Sequence, residues 1–150
     1  MIRRATADDS YTLSRLRLTM WDEMHPDGPA ASAADRERQF VYWHQTIETG
    51  ANVAWLDEDA GRTMGMLALL LHAHPPLPTT EHRRGYVSAL YVLPEYRRQG
   101  IGRALMEAVI GFAQEQELQW LELRTSEAAR PLYAALGFKA HEILTLRTGG

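Results

Sequence analysis

Gly85-Tyr86-Val87-Ser88-Ala89-Leu90-Tyr91-Val92-Leu93 is rich in residues that favour extended backbone, and Pro94 ends the run because proline cannot donate to a sheet ladder. The segment just beyond Pro94 makes this the most constraining stretch of the chain. Arg97-Arg98-Gln99-Gly100-Ile101-Gly102 reads as a glycine-containing turn, and after it Ala104, Leu105, Ala108, Val109 and Phe112 recur at helical spacing. A helix with one apolar face must bury that face, and the strand just before it belongs to the surface that receives it. Strand, turn and helix joined in this way call for an α/β architecture.

The rest of the chain supplies partners for this unit. Ile2 to Arg4 suits a short first strand, and Thr6-Ala7-Asp8-Asp9 offers caps for a helix over about Asp9 to Met24. Pro26-Asp27-Gly28-Pro29 breaks that helix. A second is predicted from Ala33 to Glu48, with Phe40, Trp43, His44 and Ile47 on one stripe and Gly50 as its stop. Asn52 to Leu56 and Thr63 to Leu71 read as strands joined by Asp57-Glu58-Asp59-Ala60-Gly61, a hairpin pattern. His72 to Arg84 contains Pro75, Pro76 and Pro78 and reads as loop. Leu118 to Leu123 is a further strand, Ser126 to Leu136 a short helix capped by Gly137, and Phe138 to Leu146 a final strand. The order predicts a mixed α/β sheet flanked by helices.

Composition narrows the function classes. A length of 150 residues fits one domain, 1–150, able to bury its own core. A net charge of −3 gives no electrostatic reason for a nucleic-acid partner. With no cysteine, disulfides, thiolate metal sites and a cysteine nucleophile are excluded. Met1-Ile2-Arg3-Arg4-Ala5-Thr6 lacks the apolar core of a signal peptide, and no apolar run approaches the ~20 residues of a membrane span. The expected location is cytoplasmic, with no membrane partner.

A glycine-rich turn that opens a helix gathers unpaired backbone N–H groups where the helix dipole also favours anions. Gly100 and Gly102 let the backbone approach phosphate oxygens closely, and Arg97, Arg98 and Arg103 add positive charge. The blander alternative is a tight strand-to-helix connection flanked by solvated arginines. A dinucleotide fingerprint would need a third glycine where this chain has Leu105, and the Gly-Lys-Ser/Thr of a phosphate-loop NTPase is absent.

Val92-Leu93-Pro94-Glu95-Tyr96-Arg97-Arg98-Gln99-Gly100-Ile101-Gly102-Arg103-Ala104-Leu105 resembles the cofactor-binding segment of the GNAT superfamily of N-acetyltransferases. That family's pattern is glutamine or arginine, two residues, glycine, one residue, then glycine or alanine. Arg97, Gly100 and Gly102 match it. Ala129-Arg130-Pro131-Leu132-Tyr133-Ala134-Ala135-Leu136-Gly137-Phe138 is similar to the family's C-terminal tyrosine and Leu-Gly-Phe signature. The resemblance runs from Gly85 onward, and the N-terminal half shares only the element order.

The resemblance implies a mixed, mostly antiparallel sheet of about six or seven strands flanked by about four helices and splayed at the fourth and fifth strands. It implies acetyl-CoA as cosubstrate, no metal, and direct transfer of acetyl to a primary amine of a small-molecule or peptide acceptor in a ternary complex. A homodimer is left open. The main chain at Leu90, Tyr91 and Val92 would pair with pantetheine and polarise the acyl carbonyl. The pyrophosphate would lie on Arg97, Arg98, Gln99, Gly100, Ile101, Gly102 and Arg103. Tyr133 would protonate the departing thiolate, its alternative being a tyrosine packed on cofactor or core. Many relatives have an asparagine seven residues before this tyrosine, where this chain has Ser126, so Ser126 is either a cofactor contact or a helix N-cap. A competing reading, a non-catalytic acyl-CoA-binding regulatory module, keeps the turn but does not depend on Tyr133.

An attacking amine also needs a proton acceptor, because its ammonium form has an ordinary pKa of about 10. Glu23, His25, His44, Tyr86 and Ser88 are candidates, each equally at home as a surface, turn, helix or strand residue. His72, His74 and His82 lie in a proline-containing segment without a carboxylate or cysteine pattern, so loop polarity explains them better than a metal does. Trp21, Met24, Phe40, Tyr42, Trp43 and Trp55 either wall an acceptor pocket or belong to the core, and Glu23 and Asp27 suit a cationic acceptor.

Overall fold

The computed structural model describes residues 1–72, 75, 77–79 and 83–149. In chain order the elements are β1 (Ile2–Arg4), α1 (Ser10–Met24), α2 (Ala33–Thr49), β2 (Asn52–Asp59), β3 (Arg62–Leu71), β4 (Arg84–Val92), α3 (Ile101–Glu115), β5 (Trp120–Leu123) and α4 (Arg130–Ala135), with short 3-10 turns at Ala7–Asp9 and Pro94–Tyr96. The strands form one sheet in the order β1-β2-β3-β4-β5, antiparallel except for the parallel pair of β4 with β5.

Local chemistry sets the helix ends. Ser32 Oγ accepts from Asp35 N–H at 3.1 Å while Asp35 Oδ2 accepts from Ser32 N–H at 2.8 Å, a reciprocal cap that starts α2. Gly50, at φ 79°, stops it in a conformation that costs glycine least. Ala60 and Gly61 both have positive φ, so the β2–β3 connection is a tight mirror-image turn that matches the twist of the strands. Both strands therefore reach further into the predicted turn than their hydrophobic patterns indicate. Helix α4 starts later than the predicted Ser126, because Pro131 sits in its first turn, where a missing N–H costs nothing.

Two apolar layers sandwich the sheet. Leu13 and Leu16 of α1 and Trp43 of α2 meet Ala54, Leu56, Met66, Ala68, Ala89 and Tyr91 on one face. Ile101, Leu105, Met106 and Val109 of α3, with Tyr133 of α4, meet Val53, Trp55, Leu67, Leu69 and Val87 on the other. The fully buried leucines and methionines of both faces each contribute about 1.5–3 kcal/mol through removal from water.

The predicted count of six or seven strands is corrected to five among the described residues. The predicted strand Phe138 to Leu146 is not formed. Phe138 turns in against Tyr133, edge to face at 5.8 Å, and Ile143, Leu144 and Leu146 stay 71%, 87% and 86% exposed. Residues that favour extended backbone make a strand only with a ladder partner, and β5 leaves its outer edge without one among the described residues. Of the predicted loop His72 to Arg84, His74 and His82 lie outside the described residues. No helix among the described residues is long and apolar enough to cross a membrane.

Candidate active site

Strands β4 and β5 pair only from Arg84↔Trp120 to Val87↔Leu123. Beyond Val87, β4 continues to Val92 without a partner on that side among the described residues, which leaves a slot along its edge where β5 has ended. Ser88 has no ladder partner in β3 either: Leu69 pairs with Val87 and Ala68 with Ala89, which makes Ser88 the extra residue of a bulge, its Oγ reaching Ala68 O at 3.5 Å. Leu93 N–H donates to Met64 O at 2.9 Å, so alternation turns the main-chain groups of Tyr91 toward β3 and those of Leu90 and Val92 toward the slot. Leu90 and Val92 can therefore offer backbone donors there, while the Tyr91 main chain is committed to the ladder.

The turn between β4 and α3 leaves its amides without protein acceptors among the described residues. Arg98 (φ 63°) and Gly100 (φ 82°) both adopt left-handed backbone, Gly100 caps α3, and the helical ladder begins with Ala104 N–H donating to Gly100 O at 3.0 Å. No amide from Arg98 to Arg103 donates to a protein acceptor among the described residues. Alternating left-handed residues and a helix N-terminus form a concave set of donors carrying about half a unit of positive charge. The two glycines differ. Gly100 is required by its φ, whereas a Cβ at Gly102 would make only ordinary contact, 3.8 Å from Leu132 Cδ2 and 4.0 Å from Val92 Cγ2. Protein packing does not demand glycine at 102.

Gly102 also marks where β4, α3 and α4 converge, through Val92 and Leu132. Tyr133 is the next residue after Leu132 and is 8% exposed, and its hydroxyl has no hydrogen-bond partner among the described residues. Burial raises its pKa above the ordinary phenol value, so it stays protonated at neutral pH. Ser126 Oγ accepts from Ala129 N–H at 3.3 Å and Ser126 O from Arg130 N–H at 3.1 Å, which shapes the turn into α4.

The arginines divide. Arg103 Nε pairs with Glu107 along α3 at 3.1 Å. Arg97 folds back from the turn. Its Nε donates to Val92 O at 2.9 Å, its Nη1 and Nη2 meet the Glu23 carboxylate at 2.8 Å each, and its guanidinium lies 5.5 Å over the Tyr91 ring. Tyr91 Oη donates to Glu23 Oε2 at 2.7 Å. The bonds from Arg97 and Tyr91 hold the Glu23 carboxyl below the usual carboxylate range, and burial with the Glu23 charge pushes Tyr91 up to about 12.

This arrangement sorts the proton-acceptor candidates. Glu23 is brought to the turn, but as a neutralised ion pair that accepts protons poorly, and its charge is already answered before any cationic acceptor arrives. His25 stacks on Trp21 at 3.7 Å, with Nδ1 3.1 Å from Trp21 O. His44 contacts its own helix, Phe40 at 5.9 Å and Glu48 at 3.7 Å. Tyr86 and Ser88 lie half-buried on β4. Of the aromatic wall, Trp43 is core and Trp55 lies on the α3 face against Phe112, across the sheet from α1 and α2. Trp21, Met24, Phe40 and Tyr42 remain exposed, with Tyr42 Oη accepting from Asn52 Nδ2 at 2.9 Å. Sequence reading missed Gly65, which gave no signal beyond being a glycine inside a strand.

Comparison with known proteins agrees with this geometry. The acetyltransferase (GNAT) family pattern matches residues 13–138. An N-alpha-acetyltransferase of Sulfurisphaera tokodaii is 42% identical over 140 residues, covering 89% of this chain and 83% of that protein. Mouse N-acetyltransferase family 8 member 3 is 35% identical over 97 residues, covering 62% of this chain, and the match spans only 41% of that protein. A predicted acetyltransferase of Clostridium acetobutylicum, solved with acetyl-CoA, superposes with a TM-score of 0.84 at 23% identity over 98% of this chain and 95% of that one. With the slot, the amide-lined turn and the sheet order all in place, the chain belongs to the acetyltransferase (GNAT) family.

Proposed function

We propose that this chain transfers an acetyl group from acetyl-CoA directly to a primary amine in a ternary complex, as one domain. The observation that carries the reading is the run of amides from Arg98 to Arg103 that have no protein acceptor among the described residues, set beside the β4 edge that is unpaired among them. Those amides, with Arg98 and the room in front of Gly102, fit a pyrophosphate. The Leu90 and Val92 edge fits the amide groups of pantetheine. Acetyl-CoA, when bound, supplies the thioester.

In this reading, the backbone N–H groups on the slot side of β4 stabilise the charge that develops on the acyl oxygen. Tyr133, protonated and without a protein partner among the described residues, gives its proton to the departing sulfur. The incoming amine loses its proton to water, since Glu23 is neutralised by Arg97. No residue positioned at the slot calls for a covalent acyl relay. The Sulfurisphaera relative is named for transfer to an α-amine, which favours the α-amine of a peptide among primary amines. Free-thiol release from acetyl-CoA across a panel of amines and N-terminal peptides tests the proposal. Transfer by double-displacement kinetics, or no transfer to any amine despite tight CoA binding, counts against it, and the latter outcome supports the regulatory-module alternative.

A further inference from the structure

We propose that Glu23 is a positioning residue for the amide turn, acting through Arg97. The proposal rests on the acetyl-CoA reading of the site. Glu23 stands in the last turn of α1, 74 residues from Arg97, yet its carboxylate takes both terminal nitrogens of that arginine and the hydroxyl of Tyr91. The third nitrogen, Nε, donates to Val92 O at 2.9 Å. All three nitrogens of the guanidinium are thus engaged, and the chain from the end of β4 to the start of the turn is tied at both ends to α1 through Tyr91 and Arg97. Planar, forked donors make such a tie far stiffer than a lysine would.

The neighbouring residue shows why a tie is needed. Arg98 holds φ at 63°, a left-handed conformation that is unfavourable for a residue with a side chain and persists only if its surroundings impose it. With Arg97 pinned, that conformation turns the amides after it toward one point. With Arg97 free, Arg98 relaxes toward ordinary backbone and the amides diverge. Glu23 therefore governs the grip on pyrophosphate, while the Leu90 and Val92 N–H groups and the Tyr133 hydroxyl make no contact with it or with Arg97 among the described residues.

S-acetylpantetheine carries the thioester without the pyrophosphate and so reads this role directly. Glu23→Gln is expected to lower the ratio of kcat/KM for acetyl-CoA to that for S-acetylpantetheine about tenfold, and to weaken CoA binding in calorimetry by a similar factor. Arg97→Gln is expected to do the same, and the double variant to be no worse than either single one, because both break one linkage. A general base, or a general loss of structure, would lower both substrates together and leave the ratio unchanged. That result, or unaltered CoA affinity in both single variants, overturns the proposal. Absence of CoA binding by the unaltered protein removes the reading of the site and this proposal with it.

Discussion

Gly65 of β3 lies directly beneath Ile101, the first residue of α3: a Cβ at position 65 would stand 3.3 Å from Ile101 Cγ2 and only 2.9 Å from the Tyr91 carbonyl oxygen. The mouth of the helix approaches the sheet this closely because that position has no side chain. Gly65→Ala must push either the ladder or the helix start, so it is expected to destabilise the fold by about 1–3 kcal/mol and to weaken CoA binding. Urea denaturation midpoints and calorimetry check both halves. An alanine variant as stable as the original would show that the helix start yields freely.

The two glycines of the turn separate by experiment. Gly100→Ala places a side chain at φ 82° and is expected to cost about 1 kcal/mol or more of stability. Gly102→Ala meets no crowded protein atom, so its thermal midpoint should match or exceed that of the original, while CoA affinity falls about tenfold or more. Equal CoA affinity in Gly102→Ala would place the pyrophosphate elsewhere.

Tyr133→Phe removes a hydroxyl that no protein group uses among the described residues, so stability and CoA affinity should barely change while turnover drops about 100-fold or more. Its folded pKa is raised by burial, so the folded state favours the protonated phenol. The corresponding contribution to stability is present below the ordinary phenol value of about 10 and is lost as pH rises through the folded value. A pH–rate profile of the original protein should therefore show no decline attributable to Tyr133 below pH of about 10. Full activity in the phenylalanine variant would remove the acid role.

Arg3 joins three elements, with Nη1 and Nη2 on Asp9 at 2.9 and 2.8 Å and Nε and Nη2 on Glu58 at 2.9 and 2.8 Å. Arg3 is itself 42% exposed, so Arg3→Ala is expected to cost about 1 kcal/mol or less. The Arg3 bonds hold the Asp9 and Glu58 carboxyls below their ordinary values. The stability they add is present above the ordinary carboxylate pKa values of about 4 and is lost as pH falls through the lowered folded values. Thermal midpoints of the original and Arg3→Ala proteins should differ at pH 6 and converge toward pH 2. A constant gap across that range would trace the loss to packing of the Arg3 stem instead.

Much of this molecule is set by order along the chain. The strand Gly85 to Leu93, the turn ending at Gly102 and the apolar stripe of α3 are local patterns, and backbone sterics, helix periodicity and capping act over a few residues, so they were legible directly. The two glycines could be named for the same reason, whereas Tyr133 was named through the family resemblance alone. The failures have the opposite character. Phe138 to Leu146 has strand composition, but composition cannot supply a ladder partner. Trp55 reads like the other aromatics, and only the alternation of β2 within a sheet covered on both faces sends it to the α3 side. Arg97 looks like a phosphate ligand from its neighbours in sequence, yet Glu23, far away in the chain, claims its guanidinium. Sequence alone determined the elements that rest on local patterns and the chemistry available in each. The tertiary structure decided which groups were left unpaired at the slot, because pairing depends on distant residues that only the folded chain brings within hydrogen-bonding reach.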